Sequence, residues 1–278
     1  MSKNFKPILV VAGDPKSIFL EIYFKSLKTR KFFNPLILIV NKRILTDQMK
    51  LLKYQFKLNE LQSQNLELFE LNNDVINYIN VPLNSKKNNL YLKESFNLAI
   101  SLLKKDKKLQ LLNGPINKKK FLKGKHLGIT EFLASKTITK KNVVMLIFNK
   151  KLSVSPITTH VPLKNVHILI SKKRIINHVK LINNFYKNRF GTKPKIAITG
   201  LNPHCESNFE SSEEKKIIIP TIYYLAKQKY NISGPFPADT IFLKENYNKY
   251  DVIIGMYHDQ VLGPIKSIFE FDAINITL

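Results

Sequence analysis

Uninterrupted apolar runs alternate along this chain with amphipathic stretches, and this alternation limits the folds open to it. Strand candidates are 8–13, 35–40, 109–114, 142–149, 195–200, 251–257 and 274–278. Helices are predicted at about 17–28, 43–57, 93–106, 130–137, 171–188 and 213–229. Strands that are apolar throughout are typical of sheets covered on both faces. The pattern therefore predicts an α/β protein with a largely parallel, buried sheet.

Length and composition place this protein among ordinary globular chains. Its 278 residues are enough for one large domain or two smaller domains that share a cleft. No apolar run approaches the roughly 18 residues of a membrane span, and the first 15 residues lack the small-residue cleavage site of a secretory signal. The single cysteine, Cys205, excludes an internal disulfide framework. We therefore expect a cytoplasmic protein with no membrane partner.

The net charge of +25, from 45 Lys and Arg against 20 Asp and Glu, has two interpretations. Clustered basic residues would favour nucleic acid or another polyanion as a partner. Here the lysines are scattered, and they accompany abundant Asn and Ile, which favours compositional drift. We expect no nucleic acid partner. The alternative, a basic binding protein, predicts affinity that falls steeply with salt.

Polar residues stand where the apolar runs end. In open α/β sheets, ligands bind beyond the carboxyl ends of the strands. The five such ends read AGDP (12–15), NGPINK (113–118), ITTHVP (157–162), GLNPHCE (200–206) and GMYHDQ (255–260). Three of them carry a histidine, namely His160, His204 and His258.

Three neutral imidazoles at one end of a sheet would form a divalent-metal site with coordination positions left open. Asp239 and Asp259 are candidates for orienting these rings through the second ring nitrogen. The alternative is three unrelated loop or core histidines, since separations of 44 residues (160 to 204) and 54 residues (204 to 258) match no local metal motif. No G-x-G-x-x-G or P-loop fingerprint occurs in the chain.

Eight short segments, which include parts of all five strand ends, follow one another along the chain. They are GDP, GPINK, TEFLA, TTHVPL, LNPH, the glutamate pair 213–214, GPFPADT and YHDQ, followed by a lysine and the closing INITL. With these segments, over nearly its whole length, the chain resembles the 4-hydroxythreonine-4-phosphate dehydrogenase family of pyridoxal phosphate biosynthesis.

The resemblance implies a fold and an assembly. The fold is isocitrate/isopropylmalate dehydrogenase-like, with two α/β domains flanking a cleft. Residues 1–130 together with 250–278 are expected to form the first domain, and 131–249 the second, which contributes to the cleft and the dimer. A homodimer is implied, with each active site partly built by the partner subunit.

The resemblance also implies a reaction. It is the oxidation and decarboxylation of 4-phosphooxy-L-threonine to 3-amino-2-oxopropyl phosphate, dependent on NAD (or NADP) and on one divalent ion (Zn, Co, Mg or Mn). The implied residues are His160, His204 and His258 as metal ligands, Thr130, Lys266 and Asn275 as contacts of the small phosphorylated substrate, and Lys266, Asp239 and Asp259 as catalytic groups.

The sequence departs from the family pattern at several places, among them the residues after NPH, where CESNFESS replaces the usual glycines. The glycines that follow GDP in the family are replaced at 16–19, and Ile129 stands where a substrate-binding histidine is expected. After Leu278 the family continues with an arginine and an Asp-His-Gly-Thr-Ala-like stretch, so we expect weak or no activity from the chain as given. Two alternatives follow: a dehydrogenase of a four-carbon sugar acid phosphate (threonate or erythronate), and a truncated inactive relative.

Overall fold

The computed structural model describes residues 6–63, 71–83, 88–106, 109–122, 128–136, 143–205 and 209–278. The chain divides into two compact units, Met1–Phe132 and Leu133–Leu278, and each unit is built on its own sheet. None of the described helices has the length and apolar character needed to cross a membrane.

Unit 1 contains a parallel sheet in the order β3-β4-β2-β1-β5. Its strands are β1 (Ile8–Val11), β2 (Leu36–Val40), β3 (Leu58–Glu60), β4 (Ile76–Asn80) and β5 (Gln110–Asn113). Its helices are α1 (Phe19–Thr29), α2 (Lys42–Leu51), α3 (Asn88–Lys105) and α4 (Lys118–Leu122). Helix α5 (Ile129–Lys136) contains the boundary between the units.

The central strand β2 shows why this sheet forms. Every residue from Leu36 to Val40 is buried, as expected for a parallel strand covered on both faces. Helix α1 packs Leu20 and Phe24 into the same core. Helix α2 starts directly after β2 because the Asn41 side chain accepts hydrogen bonds from the first backbone N–H groups of the helix.

Unit 2 contains a mixed sheet in the order β11-β6-β7-β10-β8-β9. Its strands are β6 (Met145–Phe148), β7 (Ser153–Thr158), β8 (Ile196–Thr199), β9 (Ile232–Phe236), β10 (Val252–Tyr257) and β11 (Ile274–Thr277). Its helices are α6 (Val166–Leu169), α7 (Lys172–Phe190), α8 (Ile219–Lys227), α9 (Ala238–Ile241), α10 (Lys244–Tyr247) and α11 (His258–Phe269), with 3₁₀ turns at Leu163–Asn165 and Pro203–Cys205 and a π-helical turn at Glu214–Ile218. Strands β7, β10, β8 and β9 run parallel, and β6 pairs antiparallel with β7 and β11.

The structure confirms each of the predicted strands and helices within its described residues, with shifted ends. It confirms the α/β class and the largely parallel sheets, but the antiparallel edge of unit 2 was not predicted. Strands β7 and β9 were missed because Pro156 and Pro235 lie inside them, and proline normally argues against a strand interior. Helix α11 was missed because Gly263 and Pro264 suggested a turn.

The assignment of residues 250–278 to the first domain is wrong. Strand β10 lies between β7 and β8 in the sheet of unit 2, and β11 pairs with β6 of the same sheet. Helix α11 packs on β7 and β10. These hydrogen bonds and contacts place 250–278 within unit 2, where β10 is a central strand.

Gly255 lets helix α11 fold back onto the end of β10. A Cβ at this position would stand 2.4 Å from Cγ1 of Val261 and 3.0 Å from Oε1 of Gln260. We expect Gly255→Ala to lower the free energy of unfolding by about 1–3 kcal/mol, because the added methyl group overpacks a buried site. Urea unfolding measures this change.

Gly263→Ala is the matched control, since nothing lies within 4 Å of a Cβ at Gly263. Its unfolding free energy should equal the parent value or rise by up to about 1 kcal/mol, because alanine is favoured over glycine inside a helix. Equal urea midpoints for the two variants would contradict the close packing of α11 on β10.

Candidate active site

The three candidate histidines follow strands of the unit 2 sheet whose carboxyl ends lie side by side. Strands β7, β10 and β8 are adjacent and parallel, so their carboxyl ends meet at the same edge. His160 follows β7 by two residues, His258 follows β10 directly, and His204 follows β8 by five residues. The structure therefore places all three where a parallel sheet binds ligands.

His160 and His258 form a pair at this edge. Their ring centroids are 5.7 Å apart with an interplanar angle of 39°. Asp259 contacts His258 through a 2.6 Å hydrogen bond between Oδ1 and Nδ1. An ionised carboxylate can only accept, so Nδ1 of His258 is the donor in this hydrogen bond, and in the neutral form of the ring Nε2 then keeps its lone pair. Such a ring is prepared to bind a metal ion through Nε2.

His204 lies in a strained turn. It belongs to the 3₁₀ turn Pro203–Cys205, with φ of 55°, and Cys205 has φ of 56°. The left-handed region costs a residue with a side chain about 1–2 kcal/mol, and such strain persists only where the surroundings hold it. The His204 side chain is exposed. Nothing in the sequence indicated this conformation.

Glu214 holds the backbone that leads into this turn. Its side chain is fully buried, and Oε1 accepts hydrogen bonds from the backbone N–H groups of Leu201 (2.7 Å) and Asn202 (2.9 Å). Oε2 accepts from Nδ2 of Asn202 at 2.8 Å. Burial alone raises the pKa of the Glu214 carboxyl, but the hydrogen bonds from Asn202 and Leu201 outweigh burial, and this pKa lies below its ordinary value. Sequence reasoning treated Glu214 only as one residue of a matching segment.

Gln260 forms hydrogen bonds with the carboxyl ends of both β10 and β8. It is buried in the first turn of α11, where Oε1 accepts from the backbone N–H of Met256 (2.7 Å) and from the Thr199 hydroxyl (2.9 Å). Its Nε2 donates to the carbonyl of Gly200 at 2.8 Å. The Thr158 hydroxyl donates to the Met256 carbonyl at 2.8 Å. The ends of β7, β10 and β8 are thus joined by buried hydrogen bonds that no local pattern predicts.

The site fits part of a metal centre. Imidazole nitrogen is a ligand of divalent zinc, cobalt, nickel and copper, and His160 and His258 supply two such donors at one place. Over the described ranges, however, no three side chains of the His, Cys, Asp and Glu types are grouped so that they would hold a metal ion. Within the described part of one chain, His204 does not complete the pair.

The remaining predicted residues lie at several places. Asp239 is exposed in α9, and its carboxylate influences the thiol of Cys205, whose pKa is raised first by burial and then by the charges of Glu214 and Asp239. Asp239 therefore lies near the His204 turn. Asn275 is exposed on β11, opposite Ile147.

Lys266 and His258 lie on the same helix. Both residues belong to α11, and Lys266 is exposed eight residues further on, about 12 Å along the helix axis at 1.5 Å per residue. Thr130 lies in α5, and its side chain is outside the described residues.

Unit 1 also brings two of the predicted strand ends together. The backbone N–H of Asp14 donates to the Pro115 carbonyl at 2.8 Å, next to the pairing of β1 with β5. Gly13 has φ of 81°, and a Cβ there would stand 2.4 Å from the same carbonyl oxygen. The GDP segment and the GPINK segment therefore contact each other, and the side chain of Lys118 is outside the described residues.

Comparison with known proteins gives one consistent result. The family described as "Pyridoxal phosphate biosynthetic protein PdxA" matches residues 31–278. A 4-hydroxythreonine-4-phosphate dehydrogenase of Sulfurihydrogenibium sp. is 35% identical over 285 residues, which cover 98% of this chain and 86% of that protein. A D-threonate 4-phosphate dehydrogenase of Pectobacterium atrosepticum is 28% identical, and the match covers 98% of this chain and 87% of that protein.

A solved structure agrees with these relatives. The crystal structure of 4-hydroxythreonine-4-phosphate dehydrogenase from Klebsiella pneumoniae is 27% identical and superposes with a TM-score of 0.80. The match covers 98% of this chain and 87% of that one.

Glu214 makes stability depend on pH. Because its folded-state pKa lies below the ordinary value, its contribution is present above the unfolded-state pKa and is lost as the pH falls through the folded-state pKa. We expect Glu214→Gln to lower the unfolding free energy by about 1.5–3 kcal/mol at neutral pH. The variant should also lose less stability than the parent on acidification. Urea unfolding from about pH 7 to about pH 3 measures both effects.

Glu213→Gln is the control, because Glu213 contacts the same Asn202 amide at 3.1 Å from a partly exposed position. It should lose less stability than Glu214→Gln at neutral pH. Equal losses would contradict the anchoring role of Glu214.

Proposed function

Because the chain belongs to the PdxA family of pyridoxal phosphate biosynthetic proteins, we propose that it is a 4-hydroxythreonine-4-phosphate dehydrogenase. It oxidises and decarboxylates 4-phosphooxy-L-threonine with NAD or NADP and one divalent ion. The observation that carries this proposal is the His160–His258 pair, with Asp259 on the second ring nitrogen of His258. An isocitrate/isopropylmalate dehydrogenase-like fold and a cytoplasmic location belong to the same proposal.

His160 and His258 would hold the metal ion, and Asp259 keeps Nε2 of His258 available for it by accepting a hydrogen bond from Nδ1–H. A divalent ion held there would supply Lewis-acid chemistry that lowers the pKa of a substrate hydroxyl, and a bound nicotinamide would supply the hydride acceptor. Asp239, close to the His204 turn, has the corresponding orienting role there.

Lys266, Thr130 and Asn275 are the proposed contacts of the substrate. Lys266 provides a cation for the phosphate, and Thr130 and Asn275 provide hydrogen-bonding groups. The net charge of +25 adds an attractive field for an anionic substrate. Lys266 is exposed and therefore accessible to a ligand.

The third imidazole comes from a second copy of the chain. In this proposal, His204 of the partner subunit completes each pair of His160 and His258 in a homodimer. Two observations support it: the described part of one chain groups no three metal-binding side chains, and His204 is exposed on a turn that buried contacts hold in place.

Mixing two defective variants tests this shared site. His204→Ala and His258→Ala homodimers should each bind Co(II) weakly, because every site lacks one imidazole. After subunit exchange, half of the dimers contain both variants, and each of these has one complete site of two. Tight Co(II) binding should therefore recover to about one quarter of the parent level.

The control mixture combines His160→Ala with His258→Ala. These residues belong to the same pair, so both sites of the mixed dimer stay incomplete and tight binding should not recover. Recovery in the control, or none in the test mixture, would overturn the contribution of His204 from the partner.

A second candidate function is dehydrogenation of D-threonate 4-phosphate. Ile129 replaces the histidine expected beside Thr130, and the relative from Pectobacterium atrosepticum bears that name. We expect 4-phosphooxy-L-threonine to give a kcat/KM about tenfold or more above that of D-threonate 4-phosphate. The rate of NADH formation with each substrate measures this ratio. A higher kcat/KM with D-threonate 4-phosphate would assign the threonate activity to the chain.

A further inference from the structure

Both polar atoms of the Gln260 amide form hydrogen bonds within the protein. Its Oε1 accepts two hydrogen bonds and its Nε2 donates one, with all three partners between 2.7 and 2.9 Å. The side chain is 8% exposed. A Cβ on Gly255 would approach Oε1 to 3.0 Å, so the glycine leaves room for this amide. A buried group satisfied in this way fixes the relative positions of its partners.

The partners of Gln260 belong to two different strand ends. Met256 is on β10, which delivers His258, whereas Thr199 and Gly200 end β8 and lead into the His204 turn. Glu214 contacts the next residues of the same backbone, Leu201 and Asn202. The segment before His204 is therefore held by Gln260 on its carbonyl and by Glu214 on its N–H groups.

We propose that Gln260 is a positioning residue for the metal site, because its amide fixes both the strand end that carries His258 and the backbone that leads to His204, and one chain gives these two ligands to the two sites of the proposed dimer. This inference rests on the proposed metal-dependent function. Gln260 itself contacts neither metal nor substrate in this role. It acts by fixing the backbone at Gly200, five residues before Cys205 and four before His204.

A purely structural role is the competing explanation. Gln260 is the third residue of α11, and glutamine at this position often returns its side chain to the backbone N–H groups at the helix start. The bond to Met256 is of this kind. That role predicts lost stability but unchanged metal binding, so the two explanations differ in a measurable way.

The test compares Co(II) binding with stability in Gln260→Met. This variant keeps the length of the side chain and removes all three hydrogen bonds. We expect Co(II) affinity to fall about tenfold or more, as for other residues that orient metal ligands, together with a change in the visible absorption bands of bound Co(II). Thr199→Val removes only the 2.9 Å bond to Oε1. It should change the Co(II) affinity and the absorption bands in the same direction as Gln260→Met, by a smaller amount.

Tyr186→Phe is the matched control. The Tyr186 hydroxyl is 3.0 Å from the Ser153 hydroxyl and 3.4 Å from the Asp251 carbonyl, at the start of β7 and β10, on the opposite edge of the sheet. This variant should lower the urea midpoint and leave the affinity and spectrum of Co(II) unchanged.

The outcomes separate this inference from the proposed function. Parent-like Co(II) affinity and spectra in both Gln260→Met and Thr199→Val, with lowered urea midpoints, would overturn the positioning role alone. If Gln260→Met does not fold, Thr199→Val decides. A parent chain that binds no Co(II) would overturn the metal proposal and the positioning role together.

Discussion

The architecture of unit 2 depends on the burial of residues 252–256 of strand β10 between β7 and β8. Val252, Ile254 and Met256 face one hydrophobic core, and Ile253 faces another on the opposite side of the sheet. A strand with both faces covered is apolar over most of its length. Its polar residues are therefore excluded from the interior and appear together at the carboxyl end, where His258, Asp259 and Gln260 follow one another.

The same burial explains why the polar groups at the carboxyl ends of these strands are hydrogen-bonded within the protein. Polar groups at the strand ends lie next to an apolar core, so each requires a hydrogen-bond partner within the protein. Thr158, Thr199, Gln260 and Glu214 provide these partners. The resulting network holds His204 in a conformation that an isolated turn would not adopt.

Each chain thus presents two different features at one edge, a histidine pair and a single histidine on a strained turn. In a symmetric dimer each subunit gives and receives the same groups. A site that takes its pair from one subunit and its third ligand from the other would form only after assembly. This arrangement would couple metal binding, and with it the proposed chemistry, to dimer formation.

The local sequence pattern was sufficient to predict most of the helices and strands, and to show that the three histidines follow apolar runs. It was insufficient where residue type and local geometry disagree, as with Pro156 inside β7 and Pro235 inside β9. It also misplaced 250–278, because the position of β10 in a sheet depends on pairing with strands about 55 and 100 residues away in the chain.

The apolar periodicity alone determined that this chain forms α/β units with polar groups at the strand ends. Only the folded chain decided which of those groups meet. His160 and His258 are 98 residues apart in sequence (160 to 258) and become neighbours because β7 and β10 pair. Gln260 and Gly200 are 60 residues apart and meet through a single hydrogen bond. Periodicity records which face of an element is buried, whereas the order of strands is set by contacts between distant segments, which the local pattern does not record.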